Sequence, residues 1–231
     1  MTAIPSGSAY PADGVLPPAD TVTEVLLIRH GESEEIPDGA DIPWLGRYAD
    51  LALSDEGRRQ AECLAERLAG AGVEAIGVTP LRRTQQTAAP LAGRLGLATE
   101  LVSELAEVHL GEWEGRYRQR VAQRDPLVER VWAAERWDLI PGAEPAGVLA
   151  ARVRRGVAAL VAAHPGQRLA MFTHGGVIAQ ALADAARSRP FAFLPVANTA
   201  ISRLLVAGDR WLVRSYNDTA HLADQGPGKR R

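Results

Sequence analysis

Two apolar runs in this chain end in the same way. Val25-Leu26-Leu27-Ile28 gives out into Arg29-His30-Gly31, and Leu169-Ala170-Met171-Phe172 passes through Thr173 into His174-Gly175-Gly176. Short apolar runs halted by glycine read as buried strands of a parallel sheet. The helical stretch Val177 to Ala186 follows the second at once. Strands buried on both faces need helices on both sides, which narrows the fold to the α/β class. Such sheets bind ligands at the carboxyl ends of their strands, where both histidines fall. A histidine there can act as a nucleophile. Arg29 adds fixed positive charge and Gly31 lets backbone approach a ligand, so the triplet suits an anionic, phosphorylated molecule.

The rest of the pattern supplies the other elements. Thr23 to Ile28 is a strand, and Ser54-Asp55-Glu56-Gly57 opens a helix reaching about Gly70, with Ser54 or Asp55 as its N-cap. Glu74 to Val78 is a short strand, Leu81 to Leu95 a helix, Glu144 to Ala163 another, and Arg168 to Thr173 the third clear strand. Ala200 to Val206 and Trp211 to Tyr216 flank Ala207-Gly208-Asp209-Arg210 as a hairpin. Together they predict a three-layer α/β/α sandwich with a mainly parallel sheet and an antiparallel edge. Residues 1–21, rich in Pro, Ala, Gly and Ser, read as a flexible N-terminal tail. Residues 22–224 read as one domain and 225–231 as a flexible C-terminal tail.

Composition removes several classes of function. A net charge of −2 and a pI of about 6.2 provide no basic field for nucleic acid. A single cysteine, Cys63, rules out an intramolecular disulfide and a cysteine-cluster metal site, and reads as a packed helix residue. No stretch approaches the roughly 20 apolar residues that span a bilayer, and the N-terminus lacks the order of a signal peptide. The expectation is a soluble cytoplasmic protein with no membrane or nucleic acid partner, as a monomer or homodimer.

A third strand end adds cations. Ala75-Ile76-Gly77-Val78 leads through Thr79-Pro80-Leu81 to Arg82-Arg83 at a helix start, where unpaired N–H groups can face an anion. Adjacent arginines point apart, so one can face the pocket while the other meets solvent or a carboxylate.

Seven blocks in order now carry a resemblance. They are Leu27 to Ser33 (Leu-Ile-Arg-His-Gly-Glu-Ser), Leu53 to Gly57 with Gln60-Ala61, Pro80 to Arg83 with Gln86-Thr87-Ala88, Gly111-Glu112-Trp113-Glu114-Gly115, Pro141 to Glu144, Thr173 to Gly176, and Asn217-Asp218 with His221-Leu222. Over about residues 23–222 the chain resembles the histidine phosphatase superfamily, or phosphoglycerate mutase-like family, and its phosphatase branch. The resemblance implies that His30 attacks phosphorus and becomes a phosphohistidine, which water hydrolyses. It implies that Arg29 and Arg83 hold the phosphoryl oxygens, that His174 and the Gly175 N–H complete the cradle, and that Glu107 is the proton donor. Ser33 and Arg47 join the expected substrate-binding residues. No metal or cofactor is implied, because cations and oriented donors can stabilise a phosphoryl group by themselves. The arginines also disfavour protonation of His30, whereas Glu107 needs a raised pKa to hold its proton.

The remaining candidates have structural readings. Glu114 supports a loop, Trp113 packs, and His221 and Asn217 tie down the C-terminal segment. His109 and His164 read as surface or loop residues, and Arg116, Arg118 and Arg120 as a charged exposed helix. Ile36 occupies the position, six after the histidine, where many family members carry a phosphate-binding asparagine; Glu34 and Glu35 precede it. Within the segment Ile36 to Tyr48, Arg47 is expected to recover the missing contact and Trp44 to line the mouth. The implied activity is hydrolysis of a small phosphorylated metabolite. Phosphoglycerate mutase-type transfer and a non-catalytic binding or regulatory protein are the alternatives.

Overall fold

Val25, Leu26, Leu27 and Ile28 are all buried in the computed structural model, which describes residues 22–37 and 39–223. The expected tails lie outside the described residues. In chain order the strands are β1 (Thr23–Arg29), β2 (Trp44–Leu45), β3 (Tyr48–Ala49), β4 (Ala75–Val78), β5 (Thr99–Leu101), β6 (Arg168–Thr173), β7 (Ile201–Ala207) and β8 (Arg210–Asp218). The α-helices are α1 (Asp55–Leu68), α2 (Arg82–Leu95), α3 (Tyr117–Ala122), α4 (Pro126–Ala134), α5 (Ala146–Ala163) and α6 (Gly175–Ala186).

Side chains leave a strand on alternate faces, and β1 uses both. Val25 and Leu27 pack with Val153 and Val157 of α5 and Ile178 and Leu182 of α6. Leu26 and Ile28 pack with Leu64 and Leu68 of α1 and Leu91 of α2. This makes the three layers expected. The six-stranded sheet runs β5-β4-β6-β1-β7-β8. Strands β5, β4, β6 and β1 are parallel, and the hairpin β7–β8 adds the antiparallel edge. Arg29 pairs with Thr173, so His30 and His174 leave neighbouring strands side by side.

Helix ends follow from local chemistry. Ser54, not Asp55, caps α1, its Oγ accepting the Gly57 N–H at 3.1 Å, while Asp55 and Glu56 complement the dipole in the first turn. Gly96 ends α2 in the left-handed conformation, with φ at 65°. Helix α5 starts two residues later than expected, at Ala146, because the Glu144 side chain is engaged elsewhere and Pro145 takes the N-cap position. The exposed strand β5, the β2–β3 hairpin and α4 were not foreseen. The first two are too short to show an apolar period.

The structure corrects the role expected for Gly31. A Cβ there would meet the Gly57 carbonyl oxygen at 2.6 Å, and one on Gly57 would meet the Glu32 carbonyl oxygen at 2.0 Å. The two glycines let the loop after β1 lie directly on the first turn of α1, so the bare backbone of Gly31 faces protein and not ligand. Rigid backbone cannot yield to an added methyl. Gly57→Ala should therefore lower stability by about 1–3 kcal/mol. A urea unfolding midpoint equal to wild type would contradict this close approach.

Candidate active site

Residues between the sheet's carboxyl ends and α3 enclose a cavity of about 350 Å³ whose wall includes Arg29, His30, Ser33, Arg83 and Glu107. Of the expected residues, these five come together there. His174 stands beside them, fully buried, with its ring centroid 5.2 Å from that of His30. Gly175 opens α6 close to the Arg29 side chain, which would lie 3.8 Å from a Cβ at that position.

Two expectations about the mouth are corrected. Arg47 lies on the β2–β3 turn, outside the cavity wall, with its guanidinium 5.4 Å from the Tyr48 ring. Trp44 is 53% exposed and also outside the wall. A two-stranded hairpin carries both away from the pocket.

Tethers to the backbone hold the loop that carries His30. Thr87 Oγ1 accepts the Gly31 N–H at 3.0 Å and donates to the Arg83 carbonyl at 2.6 Å. Gln60 Oε1 accepts the Glu32 N–H at 2.9 Å, and Gln86 Oε1 accepts the Leu53 N–H at 2.7 Å. From the other side, Asn198 Nδ2 donates to the His30 carbonyl at 3.0 Å. The Gln-Ala and Gln-Thr-Ala blocks are thus explained as loop anchors.

The His30 ring is oriented by its own chain. Nδ1 lies 2.7 Å from the Gly31 carbonyl, which can only accept, so Nδ1 carries the proton and Nε2 keeps its lone pair. Burial pushes the His30 pKa well below the usual histidine range, and the charges of Arg83 and Arg29 add to the effect. His174 is likewise held neutral, first by burial and then by Arg83. Its Nε2 is 3.0 Å from Thr79 Oγ1, which in turn is 2.9 Å from Thr84 Oγ1. Two buried nitrogens in this cluster, His174 Nδ1 and Arg29 Nε, have no hydrogen-bond partner. Buried polar atoms are normally paired, so the pair is suited to receive oxygen atoms of a ligand.

The arginines divide as their adjacency requires. Arg83 turns inward, buried, and donates to the Ala49 carbonyl at 2.8 Å, whereas Arg82 pairs with Asp50 at 3.0 Å on the surface. Glu107 is half-buried and its Oε1 accepts the Val108 N–H at 2.9 Å. Burial raises its pKa against the opposing pull of that N–H and of Arg83 and Arg29. Gly176 makes room for it, since a Cβ there would sit 2.9 Å from Glu107 Oε1. Glu114 spends its carboxylate on backbone, accepting from Ala49 at 3.1 Å and Leu110 at 3.0 Å, and Trp113 is buried. Asn217 and His221 bind Ala197 and Thr199, as expected of residues that tie down the C-terminal segment.

Sequence reasoning missed three groups. Thr79 gives no signal in a lone threonine before Pro80. Arg118, read as part of an exposed helix, lines the cavity from α3. Arg152 forms a buried two-point pair with Glu144, at 2.7 and 2.8 Å, and also donates to the carbonyls of Glu104, Ala106 and Glu107. The Pro-Gly-Ala-Glu block marked Glu144, but nothing in the order of residues joins it to a partner in α5.

A family model, the histidine phosphatase superfamily (branch 1), matches residues 25–219. The chain belongs to that superfamily. It is 29% identical over 208 residues to phosphoglycerate mutase-like protein 4 of Arabidopsis thaliana, covering 88% of each chain. It is 28% identical over 213 residues to a metal-independent phosphoserine phosphatase of the same plant, covering 89% of this chain and 85% of that one. The native structure of a mycobacterial glucosyl-3-phosphoglycerate phosphatase matches with a TM-score of 0.71 at 27% identity, covering 86% of this chain and 100% of the other. This histidine phosphatase is a phosphoric monoester hydrolase. None of its helices, among the described residues, is long and apolar enough to cross a membrane.

Removing Arg152 would leave Glu144 charged and buried, with three carbonyls short of a donor. Arg152→Gln should cost about 3–5 kcal/mol of stability. A loss below about 1 kcal/mol in urea unfolding would show that the pair does not hold the Glu107 loop.

Proposed function

We propose that the protein is a metal-independent phosphatase that hydrolyses a small phosphorylated metabolite through a phosphohistidine on His30. The observation that carries this reading is the set of atoms around one ring: His30 Nε2 with its lone pair free, and the unpartnered Arg29 Nε and His174 Nδ1 beside it. Arg29, Arg83 and the start of α6 supply positive potential for the phosphoryl oxygens. For the neutral His174 to donate from Nδ1, its Nε2 must accept, which assigns the Thr79 hydroxyl as donor to it.

In the first step His30 Nε2 bonds to phosphorus and the phosphorus–oxygen ester bond breaks. The leaving oxygen takes the bond's electron pair and the proton of Glu107. In the second step water attacks phosphorus, its proton passes to the Glu107 carboxylate, and phosphate departs as the bond to His30 breaks. The raised pKa of Glu107 suits the acid of the first step, and the lowered pKa of His30 keeps the nucleophile unprotonated. The phosphoserine and glucosyl-3-phosphoglycerate phosphatases among its relatives support a soluble phosphomonoester as substrate.

The test is chemical. His30→Ala should abolish phosphate release and phosphoenzyme labelling, while chelators leave wild type active; full activity in that variant would refute the mechanism. Phosphate as product, and no isomerised 3-phosphoglycerate, separates hydrolysis from mutase transfer. Glu107→Gln should lose about 10²–10⁴-fold on alkyl phosphates and less on aryl phosphates, whose leaving groups need less protonation. Equal losses on both would move the acid elsewhere. For wild type, His30 becomes inactive only when protonated, so the acidic limb of the kcat/KM profile should lie below the ordinary histidine value of about 6.5. On alkyl phosphates a basic limb should mark loss of the Glu107 proton, and should vanish in Glu107→Gln.

A further inference from the structure

Thr79 and Thr84 lie outside every motif block, yet they stand directly behind one of the two histidines. Val78 pairs with Phe172 across β4 and β6, so Thr79 leaves one strand near the point where His174 leaves the other. Thr79 Oγ1 lies 3.0 Å from His174 Nε2 and 2.9 Å from Thr84 Oγ1, and it also accepts the Leu81 N–H at 3.4 Å. All three side chains are fully buried. Bulk water does not reach the ring, and its tautomer is set by the hydroxyl behind it.

Two arrangements of the hydroxyl protons close this chain. In one, Thr84 donates to Thr79, Thr79 donates to Nε2, and the ring proton sits on Nδ1. In the other, Nε2 carries the proton and donates to Thr79, Thr79 donates to Thr84, and Thr84 donates to the Leu81 carbonyl at 2.8 Å. The second leaves a bare lone pair on Nδ1, the buried nitrogen that has no partner in the protein. A lone pair facing phosphoryl oxygens repels them, so a neutral ring receives the group only in the first arrangement. Nor does the Leu81 carbonyl need the Thr84 hydroxyl, because it already accepts the N–H groups of Thr84 at 3.1 Å and Gln85 at 3.4 Å.

We propose that Thr79 is a positioning residue: its hydroxyl donates to His174 Nε2 and so fixes on Nδ1 the proton that meets the phosphoryl group. His30 carries its proton on the same ring nitrogen for the opposite purpose. There the Gly31 carbonyl accepts from Nδ1 and leaves a lone pair turned to the ligand, whereas at His174 the lone pair is turned to the protein and the proton to the ligand. A carbonyl can only accept, and a hydroxyl can be made to donate, so each ring has the partner its role requires. This deepens the phosphatase reading and rests on it for the place of the phosphoryl group.

Nitrogen-15 NMR of the wild-type protein saturated with inorganic phosphate reads the ring directly, the His174 signals being assigned by their loss in His174→Gln. Phosphate should shift them, with Nε2 resonating as an unprotonated nitrogen and Nδ1 as a protonated one. Signals that phosphate leaves unmoved, or a protonated Nε2, overturn the proposal. Kinetics on p-nitrophenyl phosphate separate donation from packing. Thr79→Val keeps the size and loses the donor, and should lower kcat/KM about tenfold and raise the inhibition constant of phosphate by a similar factor. Thr79→Ser keeps the hydroxyl and Thr84→Val removes only the competing acceptor, so each should lose less than about threefold. A loss under about threefold in Thr79→Val, or above it in either of the others, overturns the proposal; two threonines that merely pack would suffer alike from both valines. The wild-type spectrum decides even where a variant does not fold. An active phosphatase with a protonated Nε2 sinks the tautomer assignment alone, and an unprotonated Nε2 in a protein that releases no phosphate sinks the phosphatase chemistry alone.

Discussion

The parallel pairing of β1 with β6 is the constraint on which the site depends. It sets Arg29 opposite Thr173, so the next residue on each strand is a histidine and the two rings emerge together. Everything else at the site adjusts to that juxtaposition: α6 starts at Gly175 beside the Arg29 side chain, and Gly176 leaves space for Glu107. Because both strands are buried by helices on each face, the histidines cannot separate without opening the core.

Burial then does the electrostatic work. Removing the site from water disfavours charge on His30 and on Glu107, which favours a neutral imidazole and a protonated carboxyl on the wall of one cavity. The arginines push the histidine further in the same direction but oppose the shift on the glutamate. For Glu107 desolvation outweighs those charges, with the carboxyl held against the first turn of α6 at Gly176. Arg152 maintains that position from below, binding the backbone of residues 104, 106 and 107 while its charge is met by Glu144.

Much of this was legible in the sequence. The apolar runs ending in histidine foretold the parallel sheet, and the order of the motif blocks named His30, Arg29, Arg83, His174 and Glu107, which the fold gathers. What could not be read depends on contacts between distant segments. The sequence places Arg47 at the mouth and Arg118 on an exposed helix, yet a hairpin of two-residue strands carries the first outside the cavity wall and a six-residue helix brings the second onto it. Gly31 looked like room for a ligand because its true neighbour, Gly57, lies across a loop whose path the motif does not encode. Arg152 sits on a helix face indistinguishable, by period alone, from an ordinary half-buried arginine.

The rim of the cavity, which is the loop after β1 together with α3, is fastened separately from the residues at its floor. The rim loop and α3 are joined to each other by Gln119, Arg116 and the isoleucines around Gly115, and none of these side chains also orients His30, Arg83 or Glu107. A change in the rim can therefore reshape the mouth of the cavity without disturbing the side chains that orient His30, Arg83 and Glu107.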